Sequence, residues 1–273
     1  MDADELGARF SATFREFAEC TPLVWGPLGD ELVTDVAPAL GDRVLDVCCG
    51  AGASALPAAD AAGPTGLVDA VDLAGGLLAL GEKFAAQRGL ANVRFTEGDV
   101  TAWQLPDGTD AYDVVQCSFG IFFLPNMEES VRRLVGFLRP GGKFGTTVWR
   151  AGALEDFGKA LFDVAEQYRP QERRPGDGPP DPISRINRPE LLLSWLGEIG
   201  LVEPSVRTVA RAVPLTPEFA WAFVLGSGFR RAVEGLAPEQ VRALRQDFLA
   251  QLDERGIQEL DITTLVGVGQ RPS

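Results

Sequence analysis

The stretch "RVLDVCCGAGAS", residues 43–54, decides how this chain reads. The apolar run "RVLDV" has strand length, and "ASALPAADAAG" after it has helix-forming composition, with Pro57 early in the helix. Between them lies a glycine-rich turn. A strand, a glycine turn and a helix in that order put the turn at the carboxyl end of the first strand of a doubly wound sheet, where such sheets bind their ligands. Cys48 and Cys49 sit inside the turn, so it must be read as a redox or metal site, a phosphate cradle, or a cradle for another ligand.

The first possibility fails on inventory. The chain has four cysteines, Cys20, Cys48, Cys49 and Cys117, none in a C-x-x-C pair, and it has no histidine. A bond between neighbouring cysteines would close a strained ring, and a metal site lacks its usual partners. No metal is expected, and the cysteines read as small buried fillers, with Cys48 near the ligand.

Outward from the turn, strands and helices alternate. "GLVDAVDL", "NVRFTEGD", "YDVVQCSFG" and "KFGTTVW" read as further strands. "AGGLLALGEKFAAQRG" reads as a helix, and so does "MEESVRRLVGFLRPGG", stopped by Pro-Gly-Gly. The expected fold is α/β: a doubly wound, mostly parallel seven-stranded sheet with a helical N-terminal segment and helical cap insertions. Residues 1–40 read as helical, with Phe10, Phe14 and Phe17 at helical spacing and aimed at a core. Residues 41–150 form the ligand-binding half. Residues 151–273 complete the sheet, with insertions near 151–185 and 214–256. Within them a helix is expected over 152–168 and another at "RPELLLSWLGEIG". A single strand is expected near 203–215, helix over 217–255 broken near Gly235, and a closing strand at "DITTLVGVGQR". Residues 169–182, with five prolines, read as a mobile loop or lid.

Composition narrows the function. The 273 residues carry a net charge of −14, and 45% are apolar. No basic footprint for nucleic acid is visible, and "ERRPG" and "GFRRAVEG" read as solvated surface or local pairing. No apolar run reaches spanning length, and "MDADELGARF" has no signal-peptide character. The expectation is a soluble cytoplasmic protein without membrane insertion; oligomerisation is left open.

Three carboxylates characterise the ligand. The turn fits a dinucleotide fingerprint loosely, as Gly50, Gly52 and Ala55, with Asp72 about twenty residues on and able to hold ribose hydroxyls. Asp46, however, is expected to face the cradle, where it would repel a pyrophosphate and favour a cationic ligand. Asp99 can accept from an exocyclic adenine amine, and the N–H of Val100 can donate to a ring nitrogen. Acids at three successive strand ends suit a nucleoside with a cationic tail, and S-adenosylmethionine is such a molecule.

In order and spacing, "VLDVCCGAG", "DAVDL", "EGDV", "YDVVQCSFG" and "LRPGGKF" resemble the motifs of class I S-adenosylmethionine-dependent methyltransferases. "SFG" and "PGG" are most similar to the ubiquinone/menaquinone C-methyltransferase branch and its small-molecule relatives. The resemblance covers about residues 35–150 and implies S-adenosylmethionine as cofactor. It places Asp46 beside the methionine ammonium, Gly50 and Gly52 at the methionine carboxylate and sugar, and Asp72 on the ribose. It puts Leu73 on the adenine, Asp99 and Val100 at the adenine edge, and Cys117 on the floor. Cys48 departs from the glycine the family often has. Trp25 or Phe17 is expected to close over the cofactor.

Methyl transfer needs a nucleophile held in line with the sulfonium, so positioning can supply most of the rate and no histidine is required. The segment "CSFGIFFLPN" lacks the Asn/Asp-Pro-Pro-aromatic motif of many nucleic-acid and protein amino-methyltransferases. Phe119, Phe122 and Phe123 suggest an apolar wall instead, with Trp149, Trp221, Phe223 and Phe229 capping the cleft. These residues point to a hydrophobic or aromatic small-molecule acceptor, methylated on O or C, and the expected setting is secondary metabolism. No base stands out; Tyr168, Glu155 and Asp156 are candidates, and Arg150 could pair with an anionic substrate group. The rival readings are a non-methylating reaction such as cyclisation on the same fold, and a non-catalytic cofactor-binding protein.

Overall fold

The structure is a computed structural model that describes residues 3–105, 111–168 and 181–273. At the N-terminus lie α1 (Ala3–Ser11), α2 (Phe14–Cys20), a π-helical turn (Thr21–Trp25) and α3 (Gly26–Val36). The alternating half runs β1 (Arg43–Val47), α4 (Ala55–Ala62), β2 (Leu67–Asp72), α5 (Gly75–Arg88) and β3 (Val93–Glu97). It continues with β4 (Tyr112–Ser118), α6 (Met127–Val135) and β5 (Leu138–Trp149). The remainder comprises α7 (Glu155–Tyr168), α8 (Pro189–Glu198), β6 (Val202–Val209), β7 (Ala212–Pro214) and α9 (Pro217–Leu225). The chain closes with α10 (Pro238–Glu254), β8 (Glu259–Asp261) and β9 (Thr264–Gln270).

Seven strands form one sheet in the order β3-β2-β1-β4-β5-β9-β6, and β7 and β8 make a separate pair. β3 to β5 are parallel, while β9 runs antiparallel to both β5 and β6. The order reverses between β1 and β4, which opens a crevice at their carboxyl ends. Strand residues alternate between two cores. Leu45, Val47 and Val115 pack with α6 and α8, whereas Val44, Val68 and Val114 pack with α3, α4 and α5. Both faces are covered, which is why these strands read as nearly continuous apolar runs. A third core joins Cys20, Val24 and Leu28 of the N-terminal segment to Phe157, Phe223 and Phe248 of α7, α9 and α10.

Four local expectations change. The helix expected through "LRPGG" ends at Val135, and the chain is strand from Leu138. Leu138 pairs with Tyr112, and the register then skips to Val114 opposite Lys143, so Pro140 falls where no ladder N–H is needed. The single strand expected near 203–215 is two, because β7 leaves the main sheet to pair with β8. The break near Gly235 is longer than a single residue and contains a 3₁₀ turn, Gly228–Ala232. The N-terminal helix is interrupted after Ser11, so Phe14 is exposed while Phe10 and Phe17 face a cleft instead of a core. Most of the proline-rich stretch expected as a lid lies outside the described residues; Asp181 and Pro182 begin a 3₁₀ turn, Pro182–Arg185.

Candidate active site

A cleft of about 720 Å³ lies over the carboxyl ends of β1, β2, β3 and β4. Its floor is the glycine-rich turn. Cys48 has φ +55°, and Gly50 and Gly52 have φ +54° and +84°, so the backbone folds back on itself tightly. The family's frequent glycine at position 48 is thus explained by a left-handed conformation, which a cysteine adopts at a cost of about 1 kcal/mol. Asp72 pins the turn from β2: one carboxylate oxygen accepts from the N–H of Gly50 and the other from that of Ala74, each at 2.8 Å. Burial raises the pKa of Asp72, and the backbone donors at Ala74, Gly50 and Leu73 oppose the rise. Asp99 is exposed at the end of β3. Its Oδ1 accepts from the N–H and hydroxyl of Thr101, at 2.8 and 2.7 Å, and caps a short 3₁₀ turn, Val100–Ala102.

Of the residues expected to hold the ligand, Cys48, Gly50, Asp72, Leu73, Asp99, Val100 and Trp25 line the cleft. Asp46, Gly52 and Cys117 do not. Asp46 pairs in register with Gln116 across β1 and β4, and Gln116 Nε2 donates to its Oδ2 at 2.7 Å. That strand position faces α4, so the carboxyl is fully buried beneath the turn and not presented to the cleft. A Cβ on Gly52 would press on Leu56 and Phe95 at 3.1 Å, so this glycine serves packing below the turn. Cys117 is fully buried, and a Cβ at Gly120 would come within 2.7 Å of its Sγ and 3.0 Å of the Cys48 Sγ. The two thiols and Gly120 therefore fill one tight space, in keeping with filler cysteines.

The opposite wall is aromatic. Phe119, Phe122, Phe123, Trp149, Phe223 and Phe229 line it as expected, as does Phe17 on the cofactor side, together with Phe10. Trp25 is the hub. It stacks on Phe17 at 5.3 Å and Phe223 at 6.0 Å, and meets Phe119 at 5.9 Å and Trp149 at 6.0 Å. Phe119 stacks on Trp149 at 4.1 Å. It holds φ +55°, a strained conformation for an aromatic residue, fixed by its N–H donating to the carbonyl and hydroxyl of Thr147. Trp221 is placed differently from expectation. It is buried in the third core with Arg245 over its ring, because it lies on the inner face of α9.

The candidate bases lie elsewhere. Tyr168 donates to Asp247 at 2.6 Å on the exposed surface, and Glu155 and Asp156 line a separate depression with Arg255 and Asp261. Arg150 pairs with Asp261 at 3.7 Å and does not line the cleft. The reading of "GFRRAVEG" as surface missed Arg230, which is half-buried and lines the cleft. Leu6, Gly7 and Arg9 of α1 line it too, and Arg9 pairs with Glu234 at 2.7 Å across its mouth. Helical periodicity marks a buried face but cannot say what it is buried against, so these residues carried no legible signal.

S-adenosylmethionine fits the described cradle. The Asp72 oxygens, bonded to the N–H groups of Gly50 and Ala74, keep lone pairs for a further donor, and nothing lies within 4 Å of where a side chain on Gly98, at the cleft edge, would stand. That gives a sugar its acceptors and a flat ring its space.

Comparison with known proteins agrees with this geometry. Residues 29–164 match the model of the ubiE/COQ5 methyltransferase family. The chain is 32% identical over 155 residues to the aklanonic acid methyltransferase DauC of Streptomyces sp. (strain C5), covering 55% of this chain and 70% of that protein. It is 34% identical over 147 residues to the nocamycin O-methyltransferase of Saccharothrix syringae, covering 54% of this chain and about half, 49%, of that enzyme. Its fold is similar to that of the YcgJ protein of Bacillus subtilis, with a TM-score of 0.57 and 16% identity over 90% of this chain and 98% of that one. The chain belongs to the ubiE/COQ5 methyltransferase family, and it is a class I S-adenosylmethionine-dependent methyltransferase.

Proposed function

We propose that the enzyme methylates an oxygen or carbon of a hydrophobic, aromatic small molecule, in secondary metabolism. The observation that carries this is the shape of the cleft: one continuous space runs from the carboxylates at the strand tips to a wall of stacked aromatic rings. When bound, S-adenosylmethionine supplies a methyl group on a positively charged sulfur. Asp72 would accept from the ribose hydroxyls, and Asp99 and Val100 would meet the adenine edge. Leu73 would pack on the adenine, and Asp46 would support the turn from below. Trp25 and Phe17 would close over the methyl-bearing end, where aromatic faces favour a cation. Phe119, Trp149, Phe223 and Phe229 would hold the acceptor's rings and exclude water. Two relatives are named as methyltransferases of small molecules, aklanonic acid and nocamycin, which supports a small-molecule acceptor here. Among the described residues no helix is long and apolar enough to cross a membrane.

The test is direct. Calorimetry should show S-adenosylhomocysteine binding, and incubation with methyl-labelled S-adenosylmethionine and a panel of aromatic acceptors should give products one methylene heavier that carry the label. Product formed without label would overturn the reading.

A further inference from the structure

Strand β4 carries an amide where its apolar neighbours would suggest another hydrophobe. Gln116 is fully buried, directly across the ladder from Asp46 of β1. Its Nε2 has two hydrogens, and both are used. One goes to Asp46 Oδ2 at 2.7 Å, the other to the Ser54 carbonyl at 3.1 Å. Asp46 stands at the end of β1, before the glycine-rich turn, and Ser54 stands after it, at the entry to α4. One nitrogen from a third element thus joins the two ends of the turn from beneath, while Asp72 holds the turn from β2.

The second observation is the other oxygen of each group. Asp46 Oδ1 and Gln116 Oε1 are both buried, and neither meets a donor among the described residues. A bare acceptor in a dry interior costs on the order of 1–3 kcal/mol. A carboxylic acid facing a primary amide answers both at once. The amide N–H is given to one carboxyl oxygen, a proton on the other is given to the amide carbonyl, and the two groups close two hydrogen bonds side by side. The titratable groups around Asp46 favour that state. Asp72 adds negative charge from β2, and burial keeps the thiols of Cys49 in the turn and Cys117 on β4 protonated.

We propose that Gln116 is a positioning residue for the cofactor: with a protonated Asp46 it forms an acid–amide pair that fastens the two ends of the turn, and the turn holds S-adenosylmethionine most tightly while that proton stays. The inference rests on the reading that this turn is the floor of the S-adenosylmethionine site. When the proton leaves, Oδ1 and Oε1 face one another as bare acceptors. A second buried charge then stands near Asp72, which pins Gly50 and Ala74. Both effects loosen the turn. Burial brings the Asp46 pKa to about 7, so the affinity is present in full below that value and falls as the pH rises through it.

The experiment reads binding and protonation, independent of turnover. S-adenosylhomocysteine is titrated by calorimetry at about pH 6 and about pH 8 into the wild-type chain, Asp46→Asn and Gln116→Met. Wild-type affinity should fall about threefold or more between the two, relative to Asp46→Asn, whose amide cannot lose the proton. Gln116→Met keeps the volume but donates nothing. It should bind about tenfold more weakly at about pH 6 and lose the pH dependence, because an Asp46 without its donor keeps its proton more firmly. Infrared difference spectra of wild type against Asp46→Asn, recorded without ligand, should show a carboxylic-acid band at about pH 6 that is gone by about pH 8. A carboxylate band already at about pH 6 overturns the inference. So does a wild-type pH profile that matches Asp46→Asn, or an affinity that rises with pH, since the carboxylate would then attract the cofactor's cation. A Gln116→Met chain that unfolds cooperatively yet binds as tightly as wild type overturns it as well; if that variant does not fold, the Asp46→Asn profile and the infrared band decide. A wild-type chain that binds no S-adenosylhomocysteine at either pH defeats the reading of the site, and the ligand-free infrared band keeps that failure distinct from failure of the acid–amide pair.

Discussion

Asp46 carries a carboxyl into a place that water does not reach. Burial pushes its pKa from the ordinary 3.8 up to about 7, with the charge of Asp72 adding to the rise and hydrogen bonds from Gln116 and Ser54 opposing it. The folded chain keeps a proton that the unfolded chain releases near pH 4. This contribution to stability is therefore fully present below about pH 4 and is lost as the pH rises to about 7. Asp46→Asn, which does not titrate, should gain on the parent by roughly 3 kcal/mol between pH 5 and pH 8, read as the change in their stability difference by urea unfolding at the two pH values. Asp72 has a different part. It holds the turn and is open to the cleft, so Asp72→Ala should lower S-adenosylhomocysteine affinity at least tenfold in calorimetry. Both aspartates were legible as acids at strand ends. Which of them faces the ligand was not, because a strand's alternation turns one residue up and its neighbour down only once the register with β4 is known.

Helix α3 shows how an element carries the site. Its Gly29 lies against the Ala53 carbonyl so closely that any Cβ would collide, and its far end packs Val36 over Gly145 of β5. The helix is thus wedged between the turn and the sheet. Gly29→Ala should cost about 1–3 kcal/mol of stability in chemical denaturation. It should also weaken S-adenosylhomocysteine binding, since Ala53 lines the cleft. The π-helical turn ahead of α3 has a local cause as well. Pro22 offers no N–H, and the Gly26 N–H donates back to the Thr21 carbonyl. The added residue per turn brings the Trp25 ring between Phe17 and Phe223. Trp25→Ala should destabilise by about 3–5 kcal/mol in thermal or urea unfolding. Elements with a long, regular pattern were legible; the start of β5 inside "LRPGG" was not, because proline and glycine are ordinary stop signals unless a bulge removes the need for their N–H groups.

For the molecule as a whole, three cores divide the work. Two cover the faces of the sheet, and the third binds the N-terminal segment to α7, α9 and α10 above its carboxyl edge. The cleft lies below that third core, and the partly exposed Arg9–Glu234 pair ties the two sides of its mouth together. A net charge of −14 on this compact body produces self-repulsion. Raising ionic strength from about 0.01 M to about 0.15 M should therefore raise the melting temperature, since it shortens the reach of like charges from about 30 Å to about 8 Å. A melting temperature that falls with salt would show instead that attractive pairs dominate.

The linear chain alone determined the alternating architecture and the ligand turn, because each rests on short-range patterns: strand-length apolar runs, helix periodicity and glycines at a tight bend. The cofactor class came from the ordered motifs and from Asp72 and Asp99, while Asp46, read as a third carboxylate of the cradle, lies beneath it. The aromatic character of the acceptor side was legible, but tertiary structure decided its membership: Phe10 and Arg230 join Phe17, Trp25 and Phe223 from distant parts of the sequence only when the third core folds over the sheet. The same packing buried Trp221 and left Tyr168 and Glu155 outside, since which face of a helix meets a cavity depends on neighbours that no local pattern encodes.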